Sequence, residues 1–278
     1  MKKNTLSNIL LILVMIVGLS LLLYPTFSDW WNSSRQTQVI TQYAEAVAKL
    51  DNESYDGILQ SAMEYNASLV DRFNSYLLTD EQKARYHQEL NFSGDGIMGY
   101  VEIPSIDVTL PVYHGTEEEV LQVAVGHIEW SSLPTGGANT HCVVSGHRGL
   151  PSARLFTDLD QMIVGDVFMM NVLNQTLTYQ VDQIKIVLPH ETEDLLIEEG
   201  KDYCTLVTCT PYGVNSHRML VRGKRIDNIE AAKVIRVTAD AVRIEPILVA
   251  PAVAAPILLI LLIVLMLPKR KNKRRNDM

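Results

Sequence analysis

Two long apolar stretches without a charged side chain, one near each end, constrain this chain more than any other feature. Residues 6–24 read LSNILLILVMIVGLSLLLY, preceded by Lys2 and Lys3 and closed by Pro25, and residues 247–267 supply 21 more uncharged positions. At about 1.5 Å of rise per residue, a helix of that length crosses a hydrocarbon core of about 30 Å. Pro251 and Pro256 kink such a helix without preventing it from spanning. The first stretch reads as a retained anchor rather than a cleaved signal, because it runs on into Trp30 and Trp31, which suit an interfacial belt. A buried core helix is the alternative for the second, but the KRKNKRR that follows reads as a cytoplasmic stop. Basic residues at both ends place both termini inside the cell and residues of about 30–243 outside it.

Charge supports that layout. The two ends carry seven net positive charges against a whole-chain value of −8, so the middle carries about −15. An acidic external segment repels phosphates, which excludes nucleic acid as a partner. Substrates are therefore to be sought at the outer face or in the wall. The chain has three cysteines, Cys142, Cys204 and Cys209, too few for a disulfide scaffold and without zinc-ligand spacing. At least one thiol is free; a Cys142–Cys204 bridge competes with two buried structural cysteines.

Within the external segment, apolar spacing predicts amphipathic helix over residues 34–66 with a break at Asp51-Asn52-Glu53, and a further helix over 79–90 started by Thr79 or Asp80. From Ser93-Gly94-Asp95-Gly96 the pattern changes to short Val- and Ile-rich runs at 99–103, 108–112, 142–145, 166–172, 176–187, 205–209 and 217–222, separated by Gly, Pro, Asn and Asp turns. Brief helical patterns remain at 117–125 and 155–159. The expectation is a mainly β fold, a barrel with short helices, preceded by a helical region and flanked by two transmembrane helices. The domain boundaries follow: an anchor over 1–29, a helical or lid-like region over 30–92, a catalytic β-barrel over 93–228, a linker over 229–246, and a second span with a basic tail over 247–278.

Chemistry points first to Cys209. Thr205-Leu206-Val207-Thr208-Cys209 reads as a strand that ends in a thiol and turns at once through Pro211-Tyr212-Gly213, a rigid place from which to present a nucleophile. A thiol of ordinary pKa about 8.5 is mostly protonated at neutral pH and needs a basic partner. His147, in Ser145-Gly146-His147-Arg148-Gly149, also sits where a strand enters a Gly-rich turn; His217 is the rival by sequence proximity. Arg218 opens the returning strand and could lie across the hairpin from the thiol, where a tetrahedral oxyanion forms. His114, His127, His141, His190 and Cys204 lack such turn-end settings and read as structural. Tyr212 and Thr208 are candidates for shaping a substrate groove. Taken one at a time, these residues are weak evidence and fit better as a buried cysteine, a turn histidine and a solvated arginine.

The combination is more specific. Thr205 to Cys209 in a TLxTC pattern, Arg218 nine residues later, and Ser145-Gly146-His147-Arg148 with its histidine 62 residues before the cysteine resemble the sortase family. Residues 94–104 (GDGIMGYVEIP), 110–116 (LPVYHGT), 145–160 (SGHRGLPSARLFTDLD) and 209–218 (CTPYGVNSHR) resemble its pilin-polymerising class C, as does the two-anchor layout. That resemblance implies a sortase-type β-barrel with Cys209 as nucleophile, His147 as acid/base and Arg218 holding the substrate carbonyl or oxyanion. It implies cleavage of an LPxTG-like sorting signal between Thr and Gly through a thioacyl-enzyme, then transfer to an amine, usually a pilin lysine. Its partners are pilins or other surface proteins bearing that signal, and it uses neither a metal nor an organic cofactor. Class C enzymes often carry a lid with an Asp-Pro-aromatic motif; here the nearest tripeptide is Asp71-Arg72-Phe73. A lid with altered anchoring, one shifted to Thr79-Asp80, and no lid all remain open. The competing functions are a cell-surface cysteine protease or amidase, which resolves its acyl-enzyme with water, and a non-enzymatic scaffold with a buried Cys209.

Overall fold

Eight strands close into a barrel in the order β1-β2-β3-β4-β7-β8-β6-β5, a closure that leaves no unpaired edge. The computed structural model describes residues 2–70 and 77–228, with Ala254, Pro256, Ile257 and Ile260. The linker over 229–246, the Asp71-Arg72-Phe73 tripeptide and, those four positions aside, the second apolar run lie outside the described residues. The strands are β1 (Ile97–Ile103), β2 (Val108–His114), β3 (Val125–His127), β4 (Thr140–Ser145), β5 (Val167–Val172), β6 (Gln175–Val187), β7 (Asp202–Thr210) and β8 (His217–Ile226). Two neighbouring pairs, β2 with β3 and β4 with β7, are parallel; the rest are antiparallel.

Side chains alternate across each strand, so every second residue faces inward. Val101 and Ile103 of β1, Leu110 and Val112 of β2, Phe168 and Met170 of β5, Leu177 and Tyr179 of β6, and Leu206 of β7 meet in one core with Phe156 and Leu159. Each of these large side chains contributes roughly 1.5–3 kcal/mol on leaving water. Cys142 and Cys204 face one another across the parallel β4/β7 pair, both buried and both free thiols.

The helical region packs on this barrel. Helix α1 (Lys2–Val47) continues through Pro25, the residue that closes the first apolar run. Proline removes one backbone donor, a cost that a long helix can bear without ending. Its stretch from Ile9 is long and apolar enough to cross a membrane, and none of the apolar window is buried in protein. The break falls as expected: α2 (Asn52–Val70) begins after Asp51, whose Oδ1 accepts from the Ser54 amide at 2.8 Å. Helix α3 (Asp80–Tyr86) starts with a capping box between Thr79 and Gln82. Tyr65 and Leu69 of α2 and Tyr86 of α3 then join Met98, Leu133 and Val172 in a second core. The Tyr86 hydroxyl lies 3.0 Å from His127 Nδ1 and accepts from the Gly115 amide at 3.0 Å, tying α3 to β2 and β3. Thr79 and Asp80 are thus the N-cap and first residue of α3, a helix that packs on the barrel through Tyr86.

One buried group sets an acid limit. His141, 1% exposed, places Nδ1 2.8 Å from the Leu196 carbonyl and Nε2 2.7 Å from the Thr205 hydroxyl. The carbonyl can only accept, so Nδ1 carries the proton and Nε2 accepts from Thr205. Burial holds this imidazole neutral, lowering its pKa from 6.5 to about 4. Between those values the unfolded chain binds a proton that the folded chain refuses. The stabilisation is complete above pH 6.5 and lost as pH falls towards 4, a swing of about 3 kcal/mol. Urea midpoints taken at pH 7 and pH 4.5 are expected to fall further in the wild type than in His141→Gln.

Candidate active site

The β7–β8 hairpin fixes the first two site residues. Cys209 stands directly opposite Arg218, and Thr210 opposite His217. Directly opposed residues on antiparallel strands project from the same face with Cβ atoms about 5 Å apart, so the thiol and the guanidinium share one face at the strand end. Arg218 donates through Nη1 to the carbonyls of Asn215 and His217, each at 3.1 Å. Those bonds brace the guanidinium on the hairpin loop through one nitrogen and leave Nε and Nη2 to serve an acceptor brought by substrate.

His147 arrives from the other side. Strand β4 runs parallel to β7 with Ser145 level with Val207. The Gly146 amide donates to the Val207 carbonyl at 3.0 Å, and the Thr208 hydroxyl donates to the Gly146 carbonyl at 2.8 Å. His147 and Cys209 each lie two residues beyond the Ser145/Val207 pair, His147 just past the end of β4 and Cys209 within β7. Thr208, 1% exposed, therefore locks two strands together rather than lining a groove. Gly146 is needed for this approach, because a Cβ there would lie 2.8 Å from both the Phe156 ring and Val125 Cγ1.

The imidazole is about a quarter exposed, yet Nε2 itself is buried and without a hydrogen-bond partner. The Glu118 carboxylate on α4 (Glu118–Leu121) lies 3.9 Å from it. The His147 carbonyl accepts from the Phe156 amide at 3.1 Å. Arg148 turns the other way: it pairs with Asp160, donates to the Thr210 hydroxyl at 3.5 Å, and lies 6.0 Å from the Tyr212 ring centroid. Tyr212, 59% exposed, also lies against Gly149, whose φ of +77° favours glycine and where a Cβ would meet the Tyr212 ring at 2.8 Å. The thiol of Cys209 is half-buried, in contrast to Cys142 and Cys204.

The other histidines do not share this setting. His114 is held between the carbonyls of Gly96 and Glu89, and His127 is fully buried with Nε2 2.8 Å from the Ser132 carbonyl. The His217 ring is turned to its neighbour Ser216. Glu118 and Arg148 were not singled out from sequence as site neighbours. Arg148 adjoins the histidine in the chain, but Glu118 reaches it only because α4 folds back between β2 and β3. Among the described residues no three His, Cys, Asp or Glu side chains cluster as metal ligands.

A half-exposed thiol, an imidazole with a free ring nitrogen and a guanidinium, all at one end of three adjoining strands, can carry out acyl transfer through a thioester. The sortase domain family matches residues 101–226. The chain is similar to the crystal structure of sortase C1 from Streptococcus agalactiae, with 50% identity over 69% of this chain and 99% of that one, TM-score 0.67. It is also similar to Streptococcus pneumoniae sortase C, with 47% identity over 68% and 97% of the two chains, TM-score 0.62. Sortase D of Bacillus subtilis is 30% identical over 131 residues, which is 46% of this chain and 63% of that protein's length.

Proposed function

Because the chain belongs to the sortase family and resembles class C members in structure, we propose that it is a cysteine transpeptidase that joins pilin subunits outside the cell. Cys209 is the nucleophile, His147 the proton carrier and Arg218 the oxyanion partner. The observation that supports this reading most is the register: Cys209 opposite Arg218 on β7/β8, with His147 at the adjoining end of β4.

The thiol sulfur attacks the Thr carbonyl of an LPxTG-like sorting signal while its proton passes to His147 Nε2. Charge building on the carbonyl oxygen is met by the Arg218 guanidinium. The Thr–Gly bond breaks, the leaving Gly amine takes the proton from His147, and a thioester to Cys209 remains. A lysine ε-amine of a second subunit then attacks, loses its proton to His147 and releases the thiol. The acyl energy is kept in the thioester, so no external energy source is required. The pilin substrate specificity studied in the Streptococcus pneumoniae enzyme supports a pilin as donor. In this reading α1 and the apolar run at 247–267 are two spans that hold the barrel at the outer face. Residues 93–228 form the catalytic domain, and 229–246 link it to the second span.

The full chain in detergent micelles, given an LPxTG-type peptide, distinguishes transfer from hydrolysis. Adding a lysine-bearing acceptor peptide is expected to divert most of the product from acid to amide. Acid at every acceptor concentration would instead identify a cell-surface protease or amidase, and no conversion at all would favour a scaffold.

A further inference from the structure

The part of α1 nearest the barrel carries a polar stripe. Asp29, Asn32 and Gln36 follow one another at spacings of three and four, which places them on one helix face. All three are partly buried, while Trp30, Trp31, Ser33, Ser34 and Arg35 between them are exposed. Each side chain makes a hydrogen bond to backbone far away in sequence. Asp29 Oδ1 accepts from the Arg154 amide at 2.8 Å. Asn32 Nδ2 donates to the Ser152 carbonyl at 2.7 Å, and Gln36 Nε2 donates to the Val123 carbonyl at 2.7 Å.

Both segments reached by the stripe end on His147. Ser152 and Arg154 lie between His147 and Phe156, and Phe156 holds the His147 carbonyl through its amide while its ring fills the space under Gly146. Val123 follows α4, whose Glu118 is the carboxylate 3.9 Å from His147 Nε2. The backbone and the imidazole of His147 are thus bounded by two loops, and one helix face is bonded to both.

We infer that Asp29, Asn32 and Gln36 are positioning residues: the membrane-proximal part of α1 sets the place of His147 for proton transfer. This rests on His147 being the proton carrier. The three side chains touch no reacting atom and act only through the loops over 148–156 and 118–124. A small displacement of a general acid/base lowers turnover far more than substrate affinity.

The test uses the full chain in micelles, comparing wild type, Asp29→Ala/Asn32→Ala, Asn32→Asp and Asp29→Asn. Asn32→Asp keeps the side-chain volume but sets a carboxylate against the Ser152 carbonyl, whereas Asp29→Asn keeps an oxygen able to accept from Arg154. The double variant and Asn32→Asp are expected to lose about tenfold in kcat with KM for the sorting peptide within about twofold, and Asp29→Asn to stay close to wild type. Wild-type kcat in both damaged variants would overturn the inference, as would losses that track only the folded fraction. An active wild type that keeps its rate when His147 is replaced by Ala would overturn the underlying reading, and this inference with it.

Discussion

Cys209→Ala is expected to reduce amide formation by at least about 10⁴-fold while the barrel stays folded. The thiol ends β7 on a half-buried face, so its removal leaves no large cavity and unfolds nothing. No second nucleophile can take its place: Cys142 and Cys204 are closed inside the barrel core, 2% and 0% exposed, with Leu206 beside them. Burial also holds the Cys204 thiol well above its usual range and therefore protonated. Alkylation should show the same contrast, with Cys209 labelled in the native protein long before the other two. Product assay by chromatography alongside a thermal melt separates lost chemistry from lost folding. Cleavage surviving at a tenth of wild-type rate would point to a different nucleophile.

Arg218→Ala is expected to lower kcat by about 10²–10³-fold, the usual cost of removing one preorganised oxyanion donor. Arg218 is directly across from Cys209, and its Nη1 is already fixed to the carbonyls of Asn215 and His217. The guanidinium is therefore oriented before substrate arrives. Arg218→Lys retains the charge but not the planar fork that can brace on the loop and still face the substrate, so it should recover only a fraction of the loss. A variant that raised KM alone would assign Arg218 to ground-state binding instead.

Much of the barrel is legible in the chain because its strands are long enough to show their own pattern. β1, β2 and β4 to β8 each carry a Val- and Ile-rich run bounded by turn residues. β3 does not: with three residues, Val125–His127, it falls at the end of a stretch whose spacing suits helix, and only α4 forms there. A strand that short exists because β2 and β4 flank it, and that partnership lies outside any local window.

The site divides in the same way. Cys209 and Arg218 flank one tight hairpin, so their juxtaposition follows from the turn. His147 is brought to the Cys209 end of β7 through a parallel pairing of β4 with β7 across some sixty residues, which no spacing rule supplies; its setting at a strand's entry into a Gly-rich turn favours it over His217, and family resemblance adds the acid/base role. Glu118 and the Asp29-Asn32-Gln36 stripe were invisible, since an exposed glutamate and polar helix positions are ordinary until the chain is folded around them.

The most direct measurement is the mass of the protein itself. Full-length enzyme is mixed with an LPxTG-type peptide in the absence of any amine acceptor, quenched in acid and digested, and the modified peptide is sequenced by tandem mass spectrometry. The expected result is one acyl group, ending at the Thr of the sorting signal, on Cys209. An acyl group on any other residue, or turnover to product with no covalent adduct at any time, would contradict a thioacyl mechanism at the end of β7.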